Sequence, residues 1–250
     1  KGFAYLDATG AVVTDKRTLR RIRALVVALV VGFSFVLKGA APGTPLIDSS
    51  TIDPLTARER DVLDGLADDA DEARGFLEAY DVNTGKKAWR FYTVAGPDEQ
   101  GGHTWPKGSD AYLRGGGSIW VTGTYDPEQN LVFFGTGNPG PDYWSAVREG
   151  DNLYTASVVA LNADTGQLAW HFQFTPHDVH DWDATQVPVL ADLTIGNQPR
   201  KTMLFANRNG FFYVLDRTNG RMILAKPFIT QTWAKEISPE GRPILLPGNI

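Results

Sequence analysis

Beyond residue 74 the chain runs as short apolar-rich segments separated by turns rich in Gly, Asp and Asn, the pattern of short strands joined by tight turns. Ser118–Thr124, Leu131–Gly135, Ser157–Leu161, Leu168–Phe174, Thr202–Ala206 and Phe211–Leu215 are predicted strands. The turns between them repeat. Ala79-Tyr80-Asp81-Val82-Asn83-Thr84-Gly85-Lys86-Lys87-Ala88-Trp89 returns as Ala160-Leu161-Asn162-Ala163-Asp164-Thr165-Gly166-Gln167-Leu168-Ala169-Trp170. The two Trp lie 81 positions apart, the span of two propeller blades at about 40 residues each. A third copy, Leu215-Asp216-Arg217-Thr218-Asn219-Gly220-Arg221, keeps the turn and loses the Trp. In each copy Asp or Asn opens a tight turn and Gly supplies a positive φ, which joins two strands as a hairpin. Period, turns and spaced Trp predict an all-β protein built as a β-propeller, with a β-sandwich as the fallback.

Residues 1–73 follow another pattern. Lys16 to Arg23 is basic, and Ala24 to Leu37 is an apolar run of fourteen residues, about 21 Å as a helix and short of a ~30 Å bilayer core. A basic flank before a short apolar run reads as a membrane or secretory signal segment at 24–37, with Ala40-Ala41 near its end. A buried helix or strand pair is the alternative. Pro54 to Ala73 is a predicted amphipathic helix: Thr56 and Glu59 have capping-box spacing, and Val62, Leu63 and Leu66 share one face. All seven Trp follow Arg74. The expected division is therefore a divergent or foreign segment over 1–73 and a propeller portion over 74–250, about half a propeller. A start on Lys1 rather than Met leads us to expect a fragment or processed product.

Composition narrows the function. The chain has 250 residues, 42 % hydrophobic, room for one large domain or two small ones. A net charge of −5 argues against nucleic acid as a partner. Twenty-six Gly and fifteen Pro favour turns over a helical bundle. The absence of Cys excludes disulfides, thiolate metal sites and Cys nucleophiles within this chain.

Several motifs carry a resemblance. Arg74-Gly75-Phe76-Leu77-Glu78-Ala79-Tyr80-Asp81, Gly115-Gly116-Gly117-Ser118-Ile119-Trp120, Gly135-Thr136-Gly137-Asn138-Pro139-Gly140-Pro141, Gly150-Asp151-Asn152-Leu153-Tyr154, Thr175-Pro176-His177-Asp178-Val179-His180-Asp181-Trp182-Asp183 and Asn207-Arg208-Asn209-Gly210 resemble PQQ-dependent alcohol dehydrogenases over residues 74–233. That family is built on an eight-bladed quinoprotein propeller, and Trp89 and Trp170 resemble its blade-locking Trp. Two weaker resemblances lie upstream. Residues 1–27 are similar to the start of bacterial type IB topoisomerases, and Leu55 to Leu63 resembles the first helix of LuxR-type regulators.

The quinoprotein resemblance implies roles residue by residue. Trp120 stacks under the planar quinone; in isolation a Trp after a Gly-rich run is more often core. Ser118, expected two positions earlier on the same strand face, contacts a PQQ carboxylate. Asn138 ligates a metal through its amide oxygen, although an ordinary turn Asn is the reading from residues alone. Asp181 is the catalytic base and a metal neighbour; its His177–Asp183 stretch otherwise reads as a solvated loop or a weak His-Asp hydrolase centre. Asp183, two positions on and expected on the same side of an extended segment as Asp181, favours a lanthanide(III) over Ca²⁺, because an extra carboxylate suits a hard trivalent ion. Arg208 bonds the reactive quinone oxygen and stabilises its developing charge. Four residues before the Arg74-Gly75 pair, where the family has its metal-binding Glu, this chain has Ala70, and Glu72 fills the role only with a two-residue deletion before Arg74; the adjacent-Cys pair is absent.

The implied reaction oxidises a primary or other small alcohol. The metal polarises the quinone, Asp181 takes the alcohol proton and hydride moves to PQQ. The resemblance further implies that electrons pass to a cytochrome c and that the location is the periplasm; the chain has no Cys-x-x-Cys-His haem site as a built-in acceptor. A non-catalytic PQQ-repeat scaffold, or an inactive fragment of a quinoprotein, is the competing expectation. Such a scaffold has no use for Trp120, Asn138, Asp181 and Arg208 together.

Overall fold

The computed structural model describes residues 26–28, 74–81 and 84–248. The expected helix at 54–73, the LuxR-like stretch, Glu72 and all of the topoisomerase-like start except Val26 and Val27 lie outside them. Among the described residues the helical pieces are short 3₁₀ turns, and the rest of the regular structure is β. No helix among them is long and apolar enough to cross a membrane.

Among the described residues thirteen strands form successive antiparallel sheets. The first sheet contains β1 (Val26–Ala28), β2 (Phe76–Tyr80) and β3 (Lys87–Tyr92), in that order. Val26–Ala28 pairs with Glu78–Tyr80, so part of the apolar run is strand. The second is a complete four-stranded blade of β4 (Thr124–Asp126), β5 (Leu131–Gly135), β6 (Ser157–Asn162) and β7 (Leu168–Gln173). The third is β8 (Val189–Ile195), β9 (Gln198–Ala206), β10 (Phe211–Asp216) and β11 (Met222–Pro227). A hairpin of β12 (Ala234–Ile237) and β13 (Pro243–Leu245) follows. The all-β propeller portion is therefore present.

The repeated turn is one device used three times. Asp81, Asn162 and Asp216 each accept backbone N–H bonds on Oδ1, from Thr84 (2.8 Å), Thr165 (3.1 Å) and Thr218 (2.9 Å). Gly85, Gly166 and Gly220 then take φ of 70°, 69° and 75°, where an L side chain would be strained. Each hairpin carries the same register slip, after Ala79, Ala160 and Val214. That slip brings Trp89 opposite Ala79 and Trp170 opposite Ala160, while the third copy has Leu224 opposite Val214.

Both Trp pack between neighbouring blades, as their spacing predicts. Trp89 Nε1 donates to Ala163 O at 3.1 Å, and Trp170 Nε1 donates to Arg217 O at 3.2 Å. Each indole lies against the Gly of the next blade's turn, Gly166 or Gly220. Alternation along β5 and β6 then builds two cores. Val132, Phe134, Val159 and Leu161 face the first sheet with Leu77 and Trp89, whereas Leu131, Phe133, Val158 and Ala160 face the third with Met203, Phe205, Tyr213 and Leu215. Central strands buried on both faces become continuous apolar runs.

Two local expectations need correction. Ser118–Thr124 is not a strand; regular pairing begins only at Thr124. Gly116 and Gly117 have φ of 72° and 70°, and Gly116 bridges both Arg74 and Pro139. This backbone is already committed to turns. Asp181 is not extended either, with φ 58°, so simple alternation does not place it beside Asp183.

Candidate functional site

The ends of β5, β7 and β9 bring the candidate residues to one place. β5 stops at Gly135, and a Cβ there would lie 1.8 Å from Ala184 O. Only Gly allows that approach, which is sealed when Ala184 N donates to Thr136 O at 3.0 Å. Asp183 thereby arrives beside Asn138, whose backbone N–H donates to Asp183 Oδ1 at 3.1 Å. Across the site Arg208 Nη1 donates to Asp183 Oδ2 at 2.9 Å. Arg208 is held by a turn in which Asn207 Oδ1 accepts Asn209 N–H at 2.9 Å and Gly210 takes φ 88°.

Trp120 and Ser118 join through the next residue back. Gly137 N donates to Ser118 O at 2.8 Å. A Cβ on Gly137 would meet Trp120 Cζ3 at 2.9 Å, so the missing side chain is what seats the indole. Trp120 remains 43 % exposed, a broad aromatic surface that the chain leaves open. Ser118 is linked here by its backbone, on an irregular segment rather than on a strand face.

Asn138 keeps its amide nitrogen occupied. Nδ2 donates to Pro139 O at 3.1 Å and to Asp142 Oδ1 at 2.6 Å. The amide oxygen is the end of the side chain left for other partners. Asp181 is partly exposed and close enough to Asp183 for the two charges to repel. Burial pushes the Asp183 carboxyl above its ordinary range, Asp181 and Asp178 add to the rise, and the Asn138 amide and Arg208 oppose it. The pocket thus holds more negative charge than Arg208 alone offsets. Among the described residues no group of three His, Cys, Asp or Glu has metal-holding geometry. The oxygen donors are two carboxylates and an amide, and Glu72 is outside the described residues.

His177 Nδ1 lies 2.7 Å from Gly150 O, and His180 stacks on Trp182 with centroids 4.0 Å apart at 7°. His180 Nδ1 is buried without a hydrogen-bond partner, 3.7 Å from Asp178 Oδ1, so neither ring makes the His-Asp hydrogen bond that a hydrolase centre would use. The larger cleft, about 620 Å³ between Thr124–Glu128 and Pro188–Asp192, contains none of the candidate residues. Sequence reasoning passed over Arg148, fully buried between the Asn138 and Asp181 loops. A lone Arg in a polar stretch gives no such signal.

Comparison with known proteins identifies the family. Residues 49–227 match the family model described as the PQQ glucose/ethanol/alcohol dehydrogenase β-propeller domain. The chain is 49 % identical over 189 residues to the quinohemoprotein alcohol dehydrogenase ADH IIB of Pseudomonas putida, covering 70 % of this chain and 27 % of that protein. It is 37 % identical over 216 residues to the lanthanide-dependent methanol dehydrogenase of Methylacidiphilum fumariolicum, covering 78 % of this chain and 34 % of that protein. Among solved structures, a europium-containing methanol dehydrogenase superposes with a TM-score of 0.66 at 36 % identity, over 70 % of this chain and 33 % of the other. The chain therefore spans about a quarter to a third of the length of these relatives. The topoisomerase-like start lies outside the residues that match the family model.

Proposed function

We propose, from the premise that this chain belongs to the PQQ glucose/ethanol/alcohol dehydrogenase β-propeller family, that the face carrying Trp120, Asn138, Asp181, Asp183 and Arg208 is the quinone and metal site of an alcohol dehydrogenase. The reaction is oxidation of a primary or other small alcohol to its aldehyde or ketone. The observation that carries the reading is the Asp183 carboxylate, which meets the Asn138 amide on one oxygen and Arg208 on the other, next to the Gly137 that seats Trp120.

The residues fit such groups. Gly137 leaves room for the Trp120 indole to lie against the backbone, and the ring's exposed surface has suitable width for a planar tricyclic quinone. The oxygen-only donors Asn138, Asp181 and Asp183 suit a hard cation. Burial raises the Asp183 pKa and the charges of Asp181 and Asp178 add to the rise, a cost to the ionised carboxylate that such a cation would relieve. Two carboxylates favour a trivalent lanthanide over Ca²⁺, in keeping with relatives named as lanthanide-dependent and europium-containing methanol dehydrogenases. Glu72 is a further ligand in this proposal.

When bound, PQQ would supply the hydride-accepting quinone and the cation its Lewis acidity. Asp181, partly exposed, accepts the alcohol proton on its carboxylate. Arg208, half exposed and anchored to Asp183, presents a fixed cation toward developing negative charge. Ser118 contributes a polar contact to a quinone carboxylate. Electrons leave to a separate cytochrome c. The test is alcohol-dependent reduction of an artificial dye by protein loaded with PQQ and La³⁺ or Ca²⁺. Turnover that disappears in Asp181→Ala supports the proposal. Binding of both groups with no alcohol-dependent reduction puts the scaffold reading in its place.

A further inference from the structure

We propose that Arg148 and Asp178 are positioning residues, a buried clasp that fixes the two loops carrying the oxygen donors; the inference rests on the donor roles given above to Asn138, Asp181 and Asp183. Neither residue touches the space those donors face, yet both hold the backbone that presents them.

Asp178 is 1 % exposed. Its Oδ1 accepts the His180 N–H at 2.9 Å and its Oδ2 accepts the Trp182 N–H at 2.7 Å. These two amides flank Asp181, the residue held at φ 58°. A non-Gly residue in that region is disfavoured and persists only where its surroundings over-determine it. Two charge-assisted bonds on either side of Asp181 do so. The carboxylate thus straddles the proposed base and leads directly into Asp183.

Arg148 has no exposed surface. Its Nη2 donates to Asp178 O at 2.6 Å and to Asp142 O at 2.8 Å, while Nε donates to Pro141 O at 3.0 Å and Nη1 to Asn152 Oδ1 at 3.0 Å. Asp142 in turn accepts the Asn138 amide nitrogen on its carboxylate. One planar cation therefore reaches Asn138 through Asp142 and Asp181 through Asp178. Lys could not reproduce this, having a single nitrogen where Arg uses three. Burying a guanidinium is costly, and spending it on carbonyls of two separate loops makes sense only if their spacing matters.

The clasp predicts two separable effects of Asp178→Asn, which preserves volume but replaces one acceptor oxygen with a donor. Amide hydrogen exchange at His180 or Trp182 should accelerate in the metal-free protein, with the urea midpoint recorded alongside. Calorimetric titration of La³⁺ into PQQ-saturated protein should weaken about 10- to 100-fold, the usual loss when the support behind a ligand is removed. Arg148→Lys, which keeps the charge, should weaken La³⁺ at least threefold and carries the test if Asp178→Asn does not fold. Unchanged exchange at both amides in folded Asp178→Asn overturns the clasp. Unchanged La³⁺ affinity in either folded variant overturns its positioning role. If wild-type protein takes up no La³⁺, the metal reading itself fails, and the positioning role with it. The exchange data then still decide whether the clasp holds the backbone.

Discussion

Gly220→Ala isolates the contact that locks one blade to the next. Gly220 has φ 75°, and a Cβ added there would lie 2.5 Å from Trp170 Cε3. Two costs follow. Left-handed backbone costs an L residue roughly 1–2 kcal/mol, and overlap with a packed indole adds about 1–3 kcal/mol. The expected destabilisation is about 2–5 kcal/mol, the sum of those ranges. Gly108 is the control: its φ is the same 75°, but nothing lies within 4 Å of the added Cβ. Gly108→Ala should therefore cost only the backbone share, roughly 1–2 kcal/mol. Trp170→Ala alone should cost about 3–5 kcal/mol through lost burial, but it also removes the overlap. The double variant should thus be less destabilised than the sum of the singles by about 1–3 kcal/mol. Urea unfolding followed by circular dichroism reads these differences as midpoint shifts. Equal shifts for Gly220→Ala and Gly108→Ala, or strict additivity with Trp170→Ala, would refute the reasoning.

Other expectations follow from individual contacts. Asp126, buried in β4, accepts a bond from Arg217 Nε at 2.8 Å on the following blade. Asp126→Asn should cost about 1.5–3 kcal/mol in urea unfolding, as for a bond to a charged group. Burial pushes the Asp126 carboxyl up, but bonds from Gln129, Arg217 and the Glu128 amide outweigh it and leave the pKa below 3.8. A depressed folded pKa gives stability that is complete above the unfolded value and fades as pH falls through the folded one. The difference between wild type and Asp126→Asn should therefore shrink below about pH 4, and a constant difference down to lower pH would contradict this. Gly135→Ala should cost about 3 kcal/mol or more, because its Cβ meets backbone at Ala184 rather than a yielding side chain; near-neutral stability would show that the Ala184 approach is misjudged. Trp120→Ala should weaken PQQ binding, followed by fluorescence quenching, by about tenfold or more, the scale of aromatic stacking energies. Unchanged affinity would remove Trp120 from the site.

The hairpins were legible in the sequence because their chemistry is local. An Asp or Asn with a Gly four positions on and a Thr between them makes its own turn, and the Trp that follows needs only the next blade's Gly to dock. Strands β5, β6 and β10 were legible because burial on both faces writes them as apolar runs. β8 was not, since this edge strand is largely exposed and carries polar residues. Its hairpin to β9 turns on Gly196 and Asn197 with φ of 59° and 61°, a two-residue signal of the type that joins twisted strands. The site residues were found by motif, and their convergence on Asp183 follows from Gly135 and Gly137, whose role is the absence of a side chain. Asp181 escaped the alternation argument because its neighbours' amides are tied to the Asp178 carboxylate, a tertiary effect with no sequence period. Arg148 is hidden for the same reason, since its partners are carbonyls and any residue supplies those.

The central claim is that Asn138, Asp181 and Asp183 hold a trivalent cation beside a quinone resting on Trp120. Competition of La³⁺ against Ca²⁺ in the presence of PQQ, measured on wild type and Asp183→Ala, tests it most directly. The account predicts that wild type prefers La³⁺ and that Asp183→Ala loses most of that preference, because the second carboxylate supplies the charge that distinguishes the two ions. The same preference in both proteins would contradict it and leave Asp183 as a loop residue paired to Arg208.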